Sequence, residues 1–337
     1  VFGSNGAFPA DLELSSLDGS IGFTLNGIDA DDRAGLAVSS AGDFNNDGFD
    51  DLLIGARFAD PNGNESGEAY VVYGSGGGFG AIVQLSSLDG TNGFTLKGKA
   101  AVDTAGTALT GAGDYNADGF DDIAISANLA SPSGINRAGE VYVVFGAVNS
   151  PAAEFELSDL DGANGFAIAG LNANDYTGIS VASAGDVNGD GFDDVIIGAV
   201  GADPQGKSLA GTSYVVFGAA SGFGANFDLA TLDGANGFRI DGIDAGDQSG
   251  RDVSGAGDVN GDGFADLLVG AWRAEPNGDF RAGESYLIYG RKPTDAVTRI
   301  GAAGDQIIRG GVFDDTLDGQ GGNDELFGDG GDDNLLG

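Results

Sequence analysis

Apolar residues along this chain come in short runs, and no stretch keeps the 3.6-residue rhythm of an amphipathic helix. The runs recur. LLIGA at Leu52 returns as IAISA at Ile123, VIIGA at Val195 and LLVGA at Leu267. AYVVYG from Ala69 returns as VYVVFG from Val141, SYVVFG from Ser213 and SYLIYG from Ser285. A third series, LSSLDGSIGFTLNG from Leu14, returns from Leu85, Leu157 and Leu229. Val, Ile, Phe and Tyr fill the runs while Gly, Asn, Asp and Pro separate them, the pattern of short strands and tight turns. Each unit of about 72 residues therefore predicts about four strands and essentially no helix. Four-stranded units repeated around an axis are the blades of a β-propeller, which leaves only short, protected edges. The blades are expected near 14–74, 85–146, 157–218 and 229–290, within a first domain of residues 1–290. Val1-Phe2-Gly3 matches the closing VFG and reads as the closing strand of a preceding blade. Four blades either close a small ring or form an arc of a larger or intermolecular one.

Between the turn-rich start of each unit and its LLIGA-type strand lies a nine-residue phrase. It reads DFNNDGFDD from Asp43, DYNADGFDD from Asp114, DVNGDGFDD from Asp186 and DVNGDGFAD from Asp258. Oxygen-bearing side chains occupy positions 1, 3, 5 and 9, with Gly at position 6. A short loop wraps a hard cation in this way, with several oxygens at about 2.3–2.6 Å and a glycine at the sharp turn. Left unneutralised, the like charges of one loop would repel by roughly 1–4 kcal/mol per close pair. Asp-Asn-Gly strings are often only polar turns, but four copies in register argue for a calcium site in each. An EF-hand does not fit, because Ile54, Ile125, Ile197 and Val269 stand where its twelfth-position Glu belongs. The recurrent Asp32, Asp103, Asp175 and Asp247 are expected to hold Asx-type turns at the entry to the next strand. Trp272 suits either a surface anchor or a packing role.

Composition narrows the setting. The 337 residues carry 52 acidic and 14 basic side chains, a formal charge of -38. Such a field repels nucleic acid and anionic membrane surfaces, so neither is an expected partner. Cys, His and Met are absent. Disulfides, thiolate sites, the Ser-His-Asp triad and the commonest zinc ligand are thereby excluded, and stability must come from packing and metal. No apolar run approaches a membrane span, no signal peptide is visible, and the chain starts at Val1. The chain reads as a processed product or a fragment.

The run SAGDVNGDGFDDVIIGA from Ser183, ending in VVFG at Val215, resembles the FG-GAP repeat of the integrin α-chain propeller and its bacterial relatives. The resemblance covers roughly residues 1–290. Ser126 departs from Gly55, Gly198 and Gly270, and Ala265 replaces the position-8 acid of Asp50, Asp121 and Asp193. The resemblance implies ligands at positions 1, 3, 5 and 9 plus the carbonyl of position 7. These are Asp43, Asn45, Asp47, Phe49 and Asp51; Asp114, Asn116, Asp118, Phe120 and Asp122; Asp186, Asn188, Asp190, Phe192 and Asp194; and Asp258, Asn260, Asp262, Phe264 and Asp266. The position-7 rings are expected to pack between strands. Position 8 is not an implied ligand.

After a linker at 291–300 the period changes to nine: GAAGDQIIR, GGVFDDTLD, GQGGNDELF and GDGGDDNLL over 301–337. These resemble the RTX nonapeptide, which winds a parallel β-roll with calcium between turns. Asp315, Asp324 and Asp333 hold the sixth position, with Gln306 in the first repeat; Asp315 with Asp333 is the best implied pair. Ile308, Leu317, Leu326 and Leu335 are expected to fill the thin core. The alternative is a disordered acidic Gly-rich tail.

The sequence thus predicts an all-β protein, a four-bladed propeller with a short C-terminal parallel β-roll. Four Ca²⁺ are expected in the propeller loops and about one to three in the nonapeptide turns. No catalytic or cofactor-binding residue is assigned. The resemblance implies a secreted or cell-surface protein, bacterial and exported by type I secretion, acting in matrix or surface-filament assembly or in adhesion. Self-association by strand addition and a glycan or surface-protein ligand are the expected partners. The alternatives are a glycan- or protein-binding module of a large adhesin and the non-catalytic part of a secreted hydrolase or lyase.

Overall fold

The computed structural model describes residues 10–148 and 152–337, so the Val1-Phe2-Gly3 assignment lies outside the described residues. Among the described residues there is no α-helix, only strands and seven 3₁₀ turns of three residues each. The Leu-Ser-Ser type segments make four of these turns, from Leu14, Leu85, Leu157 and Leu229.

The first blade runs from an inner strand Ala37–Gly42 through Asp51–Ala56 and Glu68–Val72 to an outer strand Gly93–Lys97, all antiparallel. The second comprises Leu109–Gly113, Asp122–Ala127, Glu140–Val144 and Gly165–Ala169. The third comprises Thr177–Gly185, Asp194–Ala199, Thr212–Val216 and Gly237–Asp241. In the fourth, Ser249–Gly257, Asp266–Ala271 and Glu284–Ile288 form a sheet of three.

The blades are offset from the repeat units. The Gly-Phe strand near the start of each unit closes the blade before it, so 93–97 belongs with 37–72 and not with 109–144. Phe94 explains the choice, because its ring packs 5.6 Å from that of Phe44 and 6.1 Å from that of Tyr73, both in the preceding unit. A further short strand then pairs in parallel with three of the four Gly-Phe strands: Ile82–Gln84 with Thr24–Asn26, Glu154–Glu156 with Gly93–Lys97, and Asn226–Asp228 with Gly165–Ala169.

Successive blades share their cores. Leu53 and Val71 of the first bury with Leu109 of the second; Ala124 and Val143 bury with Val181; Ile196 and Val215 bury with Val253. Interior strands are therefore buried on both faces, as the apolar runs at Ile123 and Val195 require. In the fourth blade the strand Glu284–Ile288 alternates between half-buried and exposed residues, because one face has no following blade.

The segment expected as a linker at 291–300 does more than link. Its Ala-Val-Thr-Arg-Ile corresponds to the AIVQL, AEFEL and ANFDL segments of the earlier units. Here, however, Thr298–Ile300 pairs in parallel with Thr316–Asp318, which pairs in turn with Asn334–Leu336. Ile307–Gly311 pairs likewise with Glu325–Asp329 on the other side. Partners lie 18 residues apart, so each nine-residue turn stacks on the next but one. Ile308 and Leu317 are fully buried between the two sheets, whereas Leu335 is exposed at the end of the coil.

Candidate cation-binding loops

All four Asp-rich loops fold through one hydrogen-bond pattern. In the first, the Asp43 carboxylate accepts the N–H of Asp47 and of Gly48, both at 2.9 Å. Asn45 Oδ1 accepts the same Asp47 N–H at 3.0 Å, and its Nδ2 donates to Asp47 Oδ2 at 3.1 Å. The Phe49 N–H closes the turn on Asp47 Oδ1. Asp114, Asn116 and Asp118 repeat the arrangement. So do Asp186, Asn188 and Asp190, and Asp258, Asn260 and Asp262. The position-6 glycines take φ values of 89°, 89°, 90° and 91°, a left-handed turn that a Cβ would strain. Side chains 1, 3 and 5 are thus tied together at one end of each loop.

Position 9 sits apart, inside the blade. Asp51, Asp122, Asp194 and Asp266 are fully buried. One oxygen of each accepts the position-2 N–H, and the other accepts the N–H of the glycine two residues beyond the blade's third strand, Gly74, Gly146, Gly218 or Gly290. These carboxylates knot loop to strand. Burial, then the neighbouring Asp47 and Asp43, pushes Asp51 up to about 7. Burial pushes Asp114 and Asp190 up to about 6 each, and holds Asp122 and Asp194 well above the ordinary range. Among the described residues, no three acidic side chains are drawn together tightly enough to form a closed metal cluster. The donors still fit a hard cation chemically. Each loop offers carboxylate, amide and carbonyl oxygen, and the charge raised in energy by burial is charge that a cation would neutralise.

The position-7 rings follow their neighbours. Phe192 and Phe264 are buried, Phe120 is half-buried and Phe49, on the first blade, is exposed. Position 8, not an implied ligand, has a structural role. Asp121 Oδ2 accepts the Asp43 N–H of the preceding blade at 2.7 Å, and Asp193 accepts that of Asp114. Ala265 keeps only a backbone link, its N–H donating to the Asp186 carbonyl at 3.0 Å. The signal lay in the sequence, as an acid in three of four copies, but nothing local reveals a partner more than 70 residues away.

Asp32, Asp103, Asp175 and Asp247 are all buried, and the last three accept backbone N–H groups three residues upstream, from Ala100, Asn172 and Asp244. They hold turns. Trp272 is about half exposed, its Nε1 donating to Gln248 Oε1 at 3.0 Å under the guanidinium of Arg273.

Two arginines from the C-terminal coil reach the loops. Arg299 is a half-buried residue whose Nη2 donates to the Asn188 carbonyl at 2.7 Å, within the field of Asp190 and Asp186. The Arg309 guanidinium lies over Gly263 of the fourth loop, and the Arg309 backbone N–H donates to the Gly189 carbonyl at 2.8 Å. Beside them is a cavity of about 1030 Å³ bordered by Phe217, Phe238, Ile240, Leu267, Ile288 and residues 291–295 and 297–299. At the preceding junction Phe223 stacks on Phe166 with centroids 4.5 Å apart. Diverting Thr298–Ile300 into the coil leaves Phe238 without such a cover. In the coil, the Asp315, Asp324 and Asp333 carboxylates accept the N–H groups of Val297, Gln306 and Asp315, each 18 residues upstream.

An all-β array of like blades, each with an Asp-rich loop feeding its second strand, defines a propeller repeat protein. The FG-GAP repeat family matches residues 34–72, 105–144, 177–216 and 249–288, and the chain carries four FG-GAP repeats. It is 30% identical to integrin alpha pat-2 of Caenorhabditis elegans over 241 residues, covering 70% of this chain and 18% of that protein. It is 31% identical to integrin alpha-5 of Xenopus laevis over 172 residues, 49% of this chain and 14% of that one. It is also 31% identical to the phosphatidylinositol-glycan-specific phospholipase D of Bos taurus over 190 residues, 54% of this chain and 21% of the enzyme. The chain spans about a fifth or less of these relatives. No helix among the described residues is long and apolar enough to cross a membrane.

Proposed function

We propose that this chain is a calcium-binding, non-catalytic adhesion module, secreted or displayed at a cell surface, whose loops are stiffened by the ion. The observation that carries this reading is the identical fourfold loop, with its oxygen donors tied at positions 1, 3 and 5 over a buried acid at position 9. Calcium held there supplies positive charge; the chain's own residues supply orientation, because backbone N–H groups fix each carboxylate before any ion arrives. Affinities in the weak extracellular range of about 10⁻⁴–10⁻³ M follow from such open loops. The nonapeptide coil would add calcium between turns. Its likeness to RTX repeats supports a bacterial protein exported by type I secretion that folds on meeting external calcium.

Similarity to integrin alpha chains supports adhesion over catalysis. The likeness to the phospholipase D assigns no catalytic residue here, and the recurrent position-9 acids accept backbone N–H groups. A glycan- or protein-binding module is the second reading, favoured by the cavity beside Phe238. Calorimetric titration tests the first. Changing Asp47→Ala, Asp118→Ala, Asp190→Ala and Asp262→Ala together should remove the propeller share of bound calcium; an unchanged stoichiometry refutes the assignment.

A further inference from the structure

Each blade docks on the next through one set of contacts, and among the described residues both ends of the array display one half of that set. At the first junction the N–H groups of Thr104 and Ala105 donate to the carbonyls of Glu65 and Ser66, both at 3.0 Å. At the second, Tyr176 and Thr177 donate to Arg137 and Ala138 at 3.2 and 2.9 Å. At the third, Gln248 and Ser249 donate to Leu209 and Ala210 at 3.0 and 2.9 Å. Repeat alignment puts the next acceptors at Arg281 and Ala282, and the first donors at Arg33 and Ala34. Beside Ala282 lies an open groove of about 370 Å³ floored by Gly270, Gly283 and Trp272. At the interior junctions the same strip is filled, and a Cβ on Gly55 or Gly198 would collide with the Gly106 or Gly250 carbonyl of the incoming blade.

The side chains follow the same rule. Leu109, Val181 and Val253 are 7%, 7% and 5% exposed, but Val38, at the same place on the first blade, is 67% exposed. Their receiving surfaces, Leu53 with Val71, Ala124 with Val143 and Ile196 with Val215, are 0% exposed, but Leu268 and Leu287 are 42% and 40% exposed. The position-8 clasp is also split, since Asp50 is exposed on the first blade and Gly257, beside Asp258, has nothing within 4 Å of its Cβ position.

We infer that the far face of the fourth blade binds the near face of the first blade of a second copy of this chain. Arg33-Ala34 zips along Arg281-Ala282, Val38 covers Leu268 and Leu287, and Asp50 clasps the Asp258 N–H. The receiving end is internal to the chain, because the repeats stop at Ile288 and the coil follows. A heterologous contact of this kind closes a ring or runs on as a filament, according to its rotation. The contact goes beyond calcium binding and requires no metal within it.

The only tryptophan lines the groove. In calcium held constant, sedimentation velocity on the whole chain should show species above the monomer that grow with concentration, and Trp272 emission should move to the red on dilution. Val38→Glu, which blocks one face, and Leu287→Glu, which blocks the other, should each be monomeric alone and associate when mixed. Both sites are exposed, so folding should survive, and each variant should keep the wild-type calcium stoichiometry. A monomer at every concentration, a Trp272 spectrum indifferent to dilution, or a mixture that fails to associate overturns the inference. A single variant that still self-associates overturns it too.

Discussion

Asp121 and Asp193 act across the blade boundary, each accepting the first N–H of the loop before it. Deleting such an acceptor leaves a backbone donor without its charged partner, at a cost of about 1–3 kcal/mol. Asp121→Ala should therefore lower stability in urea denaturation by that amount, while Asp50→Ala, on the exposed first blade, should leave the monomer unchanged. Arg299 poses the opposite case. Its guanidinium stands beside Asp186 and Asp190, where it repels any arriving cation. Arg299→Gln should tighten calcium at the third loop by roughly tenfold or more, since like charges a few ångströms apart at an effective dielectric near 20 differ by more than the ~1.4 kcal/mol of one decade. Terbium luminescence or calorimetry would register the change, and equal affinity with and without the arginine would refute it. Nothing in the repeat announces this residue, because it comes from outside the repeat.

At the scale of elements, much was legible. The apolar runs located the strands from Asp51, Asp122, Asp194 and Asp266 because a strand buried on both faces must be apolar throughout. Blade membership was not legible, because a Gly-Phe strand can pair with the strand before it or with the one after, and the packing of Phe94 on Phe44 and Tyr73 decides. The place of segment 291–300 was not legible for a related reason. Ala-Val-Thr-Arg-Ile follows the 72-residue period in sequence, with Arg299 where the nine-residue turns carry Ile or Leu, yet its backbone pairs with Thr316–Asp318 and joins the coil. If the stacked turns hold calcium, removing 291–337 should lower the bound count by about one to three ions in equilibrium dialysis. An unchanged count would leave the coil as packing alone.

The whole molecule carries a formal charge of -38, and part of it is buried. Asp51 is raised to about 7, and Asp103, Asp114, Asp190 and Asp193 to about 6, by burial first and then by neighbours of like charge. Their ordinary value is 3.8, so folding favours the protonated form. The stability this confers is complete below about pH 4 and is lost as pH rises through 6 to 7. In chelator the melting temperature should therefore fall between pH 5 and pH 8, and millimolar calcium should flatten that fall by stabilising the ionised loops. A melting temperature that climbs with pH in chelator would contradict the burial of these acids.

The stacking of each coil turn on the next but one has a mechanical consequence. Load applied at Gly337 meets the turns in series, each held by strand pairs such as Leu317 with Leu335, before it reaches the blades. A turn of nine residues pays out about 30 Å when it straightens. Stretched in an optical trap, the chain should lengthen in steps of that size from its C-terminal end while the blades keep their shape, so that the coil acts as a spring in front of a rigid head.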